Sequence, residues 1–374
     1  MLALALLLPG TLLAAGSAPV CPGPAGPGSA RCHAHVVTDG RGQPNATTSP
    51  TGYGPAQFHG AYQLPATTAT VQTIAIVDAF DDPNIESDLA VYNSTFGLPP
   101  CTTANGCFLK VNQNGSASGP FPRTNSGWAL EISLDVEIAH AICQNCKIIL
   151  VEADSNSFAN LSAAVDTAAR LGANVISNSY RGAEFSTETA SDVHYNHPGA
   201  AITASSGDNG FGVEYPAASQ FVTAVGGTTL RVDANNNRLS ETVWSGAGSG
   251  CSAFEPKPAW QTDAGCARRT VADVSADSDP NTGAAVYDTV RLQGQQGWFQ
   301  VGGTSLAAPL IAAVYALAGN GSAVTYGSFP YAHTNFLFDV VSGSNGTCGT
   351  YLCNGGTGYD GPSGLGTPNG TGGF

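Results

Sequence analysis

Two acidic side chains four residues apart, Glu131 and Asp135, stand in the run Gly127-Trp128-Ala129-Leu130-Glu131-Ile132-Ser133-Leu134-Asp135-Val136-Glu137-Ile138. On a helix, at about 100° per residue, they lie roughly 40° apart and face the same way. Like charges on adjacent turns oppose double ionisation, so one carboxyl keeps its proton to higher pH. A shared proton makes Glu131 usable first as a base and then as an acid. The plain alternative is a solvated acidic face. Leu130, Ile132, Leu134, Val136 and Ile138 surround the pair, however, and a helix apolar nearly all round is a buried one. Burying unpaired carboxylates is costly and calls for a functional reason. Glu137, about 200° from Asp135, is expected to point into water.

The second constellation is Gly302-Gly303-Thr304-Ser305-Leu306-Ala307-Ala308-Pro309, which follows a strand-like run and opens a long apolar helix. The glycines permit a tight turn, and the unpaired N–H groups at the helix start favour developing negative charge. Those are the requirements of a serine nucleophile at Ser305, although helix capping by Thr304 or Ser305 is the ordinary reading. A serine needs a base, usually histidine. None of the seven histidines has an acidic orienting partner in the sequence, and His140 reads as a surface or packing residue. Gly207-Asp208-Asn209-Gly210 alone is a good turn.

The elements that must position these groups alternate. Strands are expected at Thr73–Val77, Lys147–Glu152, Ala173–Ser177, Ala200–Ser205 and Trp298–Val301. Helices are expected at Asn84–Phe96, Gly127–Ile142, Phe158–Leu171 and Thr304–Leu317. This alternation predicts an α/β fold with a mostly parallel central sheet and helices on both faces. Functional groups then gather where strands end and helices begin. A single catalytic-sized domain over 51–374 is the simplest partition. Residues 1–18 read as a signal peptide, though no Lys or Arg precedes the apolar run. Residues 19–50, dense in Pro, Gly and Ala, read as a tether.

The chain has 374 residues, 13 Lys and Arg against 27 Asp and Glu, and a formal charge of -14. That balance repels phosphate backbones and anionic lipid, so neither nucleic acid nor membrane is an expected partner. The ten cysteines fall in close pairs, 21 with 32, 101 with 107, 143 with 146, 251 with 266 and 348 with 353, which suits five local disulfides in a secreted, extracellular protein.

Taken together, the segments resemble the sedolisin family of serine-carboxyl peptidases, whose fold is subtilisin-like. The resemblance is carried by Trp128 to Asp135, Ser177-Asn178-Ser179-Tyr180, Ala204-Ser205-Ser206-Gly207-Asp208, Pro216-Ala217-Ala218, Val225-Gly226-Gly227-Thr228 and Gly302-Gly303-Thr304-Ser305. Gly-Thr-Ser-x-Ala-x-Pro is shared with subtilisins, but the subtilisin His-Gly-Thr context is missing. The resemblance implies that Ser305 attacks the scissile carbonyl, Glu131 carries the proton and Asp135 holds Glu131. It also implies that Asp208, protonated, donates in the oxyanion hole, which requires acid operation.

By the same resemblance, Ser177, Asn178, Ser179 and Tyr180 line the substrate cleft. Arg181 beside them either narrows a subsite or meets an acidic substrate side chain. One structural Ca²⁺ is implied, held by Asp339, Val340 (carbonyl), Gly356 (carbonyl), Gly358 (carbonyl) and Asp360, a hard oxygen donor set. The expected partner is peptide or unfolded protein, cut internally or in tripeptide steps by a monomer. Family members carry a long amino-terminal inhibitory domain, and only about fifty residues stand before the catalytic region here. A subtilisin-like hydrolase with a histidine base and a non-catalytic binding protein are the competing readings.

Overall fold

The computed structural model describes residues 16–374, so most of the expected signal peptide lies outside the described residues. At the centre is an eight-stranded sheet. Its neighbours run in the order Arg238–Val243, Thr223–Val232, Ala201–Ser205, Val175–Asn178, Thr73–Ala79, Lys147–Ala153 and Phe108–Asn112, with Val274–Asp277 also paired to Thr223–Val232. Only the Arg238–Val243 pairing is antiparallel. Strands of a parallel sheet are covered on both faces, so Thr73–Ala79 and Lys147–Ala153 are buried along almost their whole length and read as continuous apolar runs.

Two helices, Ser126–Ile142 and Thr304–Ala318, pack against each other over one face of the sheet. Phe158–Arg170 packs on Thr73–Ala79 and Lys147–Ala153 from the other side. Asn125 starts the first helix by accepting from the Gly127 and Trp128 N–H groups at 3.1 and 3.2 Å. A hairpin, Ala284–Leu292 with Gln295–Gly302, lies over this helix as a further layer. It corrects one expectation: Glu137 does not reach water but is buried under the hairpin, where its Oε2 accepts the Tyr287 N–H at 3.0 Å. His140 is buried in packing, with Nε2 2.9 Å from the Pro99 carbonyl.

The larger correction concerns residues 19–50, which are not a tether. Gly16–Pro19, the last part of the expected signal peptide included, pairs antiparallel with His35–Thr38. His35 and Val36 pair in turn with Gly302 and Val301 at the entrance to the Ser305 helix. Arg31–Cys32 pairs with Tyr180–Arg181. Composition counted few apolar side chains here, but backbone pairing to existing strand edges and a Cys21–Cys32 disulfide replace a core of its own. All five close cysteine pairs are bonded. Among the described residues no helix is long and apolar enough to cross a membrane.

Candidate active site

The two packed helices bring Ser305 to Glu131. Ser305 is the second residue of its helix, and its Oγ donates to the Ser179 carbonyl at 3.3 Å, with the hydroxyl beside Glu131, whose Oε1 is buried without a hydrogen bond. Glu131 and Asp135 are fully buried on one helix face. Burial first, and then the Asp135 charge, push the Glu131 carboxyl well above its ordinary range; the Ser305 hydroxyl and the Ala34 N–H pull the other way. Asp135 is likewise raised by burial, opposed by the nearby Ser179 hydroxyl, and both its oxygens are buried without a hydrogen bond.

Asp208 follows the end of strand Ala201–Ser205, facing the start of the serine helix. Its Oδ1 accepts both the Thr304 N–H at 2.8 Å and the Thr304 hydroxyl at 2.7 Å. Its Oδ2 is buried without a hydrogen bond and lies 3.8 Å from His35 Nε2. Burial raises this carboxyl, against the pull of His35, the Thr304 donors and Arg181. Gly303, at φ 104°, closes the space between: a Cβ there would strike the His33 carbonyl and Asp208 Oδ2.

Ser177 and Asn178 end a central strand, buried, with Asn178 Nδ2 donating to the Thr203 carbonyl at 3.0 Å. Ser179 Oγ donates to the Ser305 carbonyl at 3.4 Å, and the Tyr180 hydroxyl to Asn178 Oδ1 at 2.9 Å. These side chains are buried in the interior, while the backbone of Ser179 to Arg181 pairs with residues 31–33 of the amino-terminal segment. Arg181 is committed to an ion pair with Glu214.

Sequence reasoning missed two groups of residues. Asp78 and Glu152 lie at the inner ends of adjacent strands, paired in register. Asp78 is buried with both oxygens unpartnered, and after burial the charges of Asp135, Glu131 and Glu152 raise its pKa most. A lone acid closing an apolar run was the available signal. The second group is Arg31, His33 and His35, brought beside Asp208, Ser205 and Glu214 by the amino-terminal segment. Their dense glycine and proline context hid them. His33 Nδ1 lies 2.5 Å from Ser205 Oγ, so its ring is engaged away from Ser305.

At the far end of the chain, Asp339 Oδ2 accepts the Gly358 N–H at 2.9 Å, and Asp360 Oδ2 accepts the Gly356 N–H at 3.0 Å. Asp360 also takes the Ser363 N–H and hydroxyl on Oδ1, at 3.0 and 2.7 Å. The Val340 side chain is buried beside this loop.

A subtilisin-like sheet bearing a serine at a helix start, next to buried carboxylates, defines a class. The chain belongs to the subtilase family, whose sequence profile matches residues 107–323. Within it the chain stands with the sedolisins. It is 28 % identical over 363 residues to sedolisin of Pseudomonas sp. (strain 101), covering 84 % of this chain and 60 % of that protein. It is 30 % identical over 367 residues to kumamolisin of Bacillus sp. (strain MN-32), covering 87 % and 63 %. The solved structure of Pseudomonas sedolisin, a serine-carboxyl proteinase complexed with pseudo-iodotyrostatin, superposes with a TM-score of 0.72 at 28 % identity, over 86 % of this chain and 96 % of that one. The chain thus spans about three fifths of the length of these two curated relatives.

Proposed function

We propose that this chain is a secreted, acid-acting serine peptidase that hydrolyses internal bonds of peptides and unfolded proteins. The observation that carries the reading is the Ser305 hydroxyl beside a buried Glu131 whose Oε1 has no hydrogen-bond partner, with Asp135 one turn away. In this reading Glu131 takes the Ser305 proton as Oγ attacks the scissile carbonyl, and then gives it to the departing amine. Asp135 keeps the exchanged proton within the pair and fixes the Glu131 geometry. The Ser305 N–H and protonated Asp208 stabilise the oxyanion, which a charged Asp208 would repel.

A strand edge at residues 179–181 that already accepts a continuous chain segment supports internal cleavage over removal of terminal tripeptides. The amino-terminal segment enters it from Ala30, four residues before Ala34, with the Ala30 N–H donating to the Asn156 carbonyl at 2.7 Å. The five disulfides support secretion. For calcium, the fit lies in the donor chemistry: two carboxylates converge on a glycine loop, and Asp360, pushed up to about 6 by burial, feels the charge of Asp339. Asp339, Asp360 and the carbonyls of Val340, Gly356 and Gly358 would hold Ca²⁺, which would cross-link the loop without entering the reaction.

The test is digestion of a denatured protein across pH 3 to 8 by wild type, Ser305→Ala and Glu131→Gln, with fragments read by mass spectrometry. Acid-limited cleavage by wild type, with a loss of about 10²-fold or more for Glu131→Gln, is expected. Activity greatest above neutrality, or untouched by Glu131→Gln, overturns the reading.

A further inference from the structure

Away from the catalytic groups, a cavity of about 490 Å³ is walled by the rings of Trp260, Tyr331, Tyr351 and Tyr359, with the Thr262 and Thr334 side chains exposed at its rim. Such a volume, mostly aromatic with a few polar groups, is that of a small-molecule site. The rings come from separate stretches of the chain and meet: the Tyr359 centroid lies 6.2 Å from those of both Tyr331 and Tyr351. The stretches that carry them are fixed before any ligand arrives. The Cys251–Cys266 disulfide closes the loop bearing Trp260, and Cys348–Cys353 closes the loop bearing Tyr351. Gly265 lets the two loops touch. Its N–H donates to the Tyr351 hydroxyl at 2.8 Å, and a Cβ there would strike that oxygen.

The polar ends of these rings are committed to the protein. The Tyr331 hydroxyl donates to Asp273 Oδ1 at 2.9 Å, that of Tyr351 to Asp263 Oδ2 at 2.6 Å and that of Tyr359 to the Ala272 carbonyl at 2.8 Å, while Trp260 Nε1 is buried. The acids are committed as well. Lys257 Nζ lies 2.8 Å from Asp263 Oδ1, and Arg269 donates to both oxygens of Asp273. Two kinds of ligand are thereby disfavoured. A proline-rich peptide laid on aromatic rings needs outward donors for its carbonyls, and the tyrosine and indole donors here face inward. A cation would meet ring faces but no uncompensated carboxylate. What remains is ring carbon for stacking and hydroxyls at the rim. A pyranose whose hydroxyls are all equatorial matches both, since its faces are C–H surface and its hydroxyls lie around the edge.

We propose that this cavity is a binding site for β-linked saccharides of gluco configuration. A sugar ring stacks on the aromatic wall, and its edge hydroxyls bond to those of Thr262 and Thr334. None of Ser305, Glu131, Asp135 and Asp208 lines the cavity, so a bound glycan leaves them free. The site therefore holds the molecule on a glycan without taking part in bond cleavage. The same sugar chemistry has two sources, a glycan carried by a protein and an insoluble polysaccharide.

The experiment titrates the full chain, carrying Ser305→Ala, with cellohexaose and chitohexaose, followed by calorimetry and tryptophan fluorescence. Saturable binding of at least one is expected, and mannohexaose, with its axial hydroxyls, should bind about tenfold or more weakly. Trp260→Ala should weaken binding about tenfold or more and remove the fluorescence change. Ala264→Trp fills the cavity from an exposed position on its wall and deletes no packing; it should abolish binding with an unchanged thermal midpoint, which separates loss of the site from loss of the fold. Two further arms distinguish the sources: sedimentation with chitin or β-glucan particles, and retention on an immobilised glycoprotein before and after enzymatic removal of its glycans. Retention in either arm that Ala264→Trp loses supports the inference and identifies the source. Three results overturn it: no saturable binding of either hexasaccharide up to millimolar concentration, binding that persists in both variants, or tighter binding of a polyproline peptide or a quaternary ammonium ion. All three leave the peptidase reading standing, because the readout is binding and not hydrolysis.

Discussion

Asp82 offers a direct measure of what buried carboxyls do for this fold. It is fully buried behind the active-site helix, where its Oδ2 accepts the Ser133 hydroxyl at 3.2 Å and its Oδ1 the Asn84 N–H at 2.8 Å. Burial pushes its pKa from 3.8 up to about 7, against the Asn84 N–H and the Lys110 charge. The folded chain therefore binds this proton more tightly than the unfolded chain does. The resulting stabilisation is complete below pH 3.8 and is lost progressively as pH rises toward about 7. At about 1.4 kcal/mol per pH unit, that span is worth on the order of 4 kcal/mol. Asp82→Asn keeps an acceptor and the shape but carries no titrating proton. In a Ser305→Ala background, which prevents self-digestion, urea unfolding at pH 3.5 and pH 7.5 gives two stabilities for each protein. The fall between them should be smaller in Asp82→Asn by on the order of 4 kcal/mol. Equal falls in the two proteins, or a larger one in the variant, refute the argument that Asp82 is held neutral by burial.

The same logic at Asp208 concerns rate. In the proposed mechanism Asp208 must be protonated to donate, so peptide hydrolysis should fall as pH rises through its elevated pKa. Asp208→Asn donates at every pH and can still accept from Thr304, so its neutral-side limb should move up by about one pH unit or more, as a pH–rate profile would reveal. At the carboxyl-terminal loop, calcium at about 100 times its Kd should stabilise the fold by about 2.7 kcal/mol, and Asp360→Asn should abolish that gain in a thermal melt while a melt without calcium changes far less.

The parts of this protein legible in the sequence were those set by local spacing. The four-residue step from Glu131 to Asp135 fixes their common face whatever surrounds the helix. The glycines before Ser305 mark a turn that only the tight approach of the Asp208 and His33 atoms makes necessary. Glu137 misled because the same periodicity cannot see a hairpin from residues 284–302 folding over the helix. Residues 19–50 misled for a related reason. Their stability comes from hydrogen bonds to strand edges formed by residues 180–181 and 301–302, and composition counts side chains, not borrowed backbone partners. Asp78 and Glu152 were passed over because each ends an apolar strand, and only the parallel register sets them side by side under Asp135.

One physical effect links the catalytic and structural halves of the molecule. Removing a carboxyl from water raises its pKa, and this fold does so repeatedly near the site: Asp82 to about 7, Glu152 and Asp288 to about 9, with Glu131, Asp135 and Asp78 raised beyond the ordinary range. Each such group favours the folded state in acid and opposes it as pH rises. The proton that the proposed mechanism holds between Glu131 and Asp135, and its neutral Asp208, would be products of the same burial. An imidazole base would have gained nothing from it, since burial lowers the pKa of histidine, as at His33 and His140. Buried carboxyls therefore favour the folded state at the same acid pH at which the proposed proton carrier holds its proton.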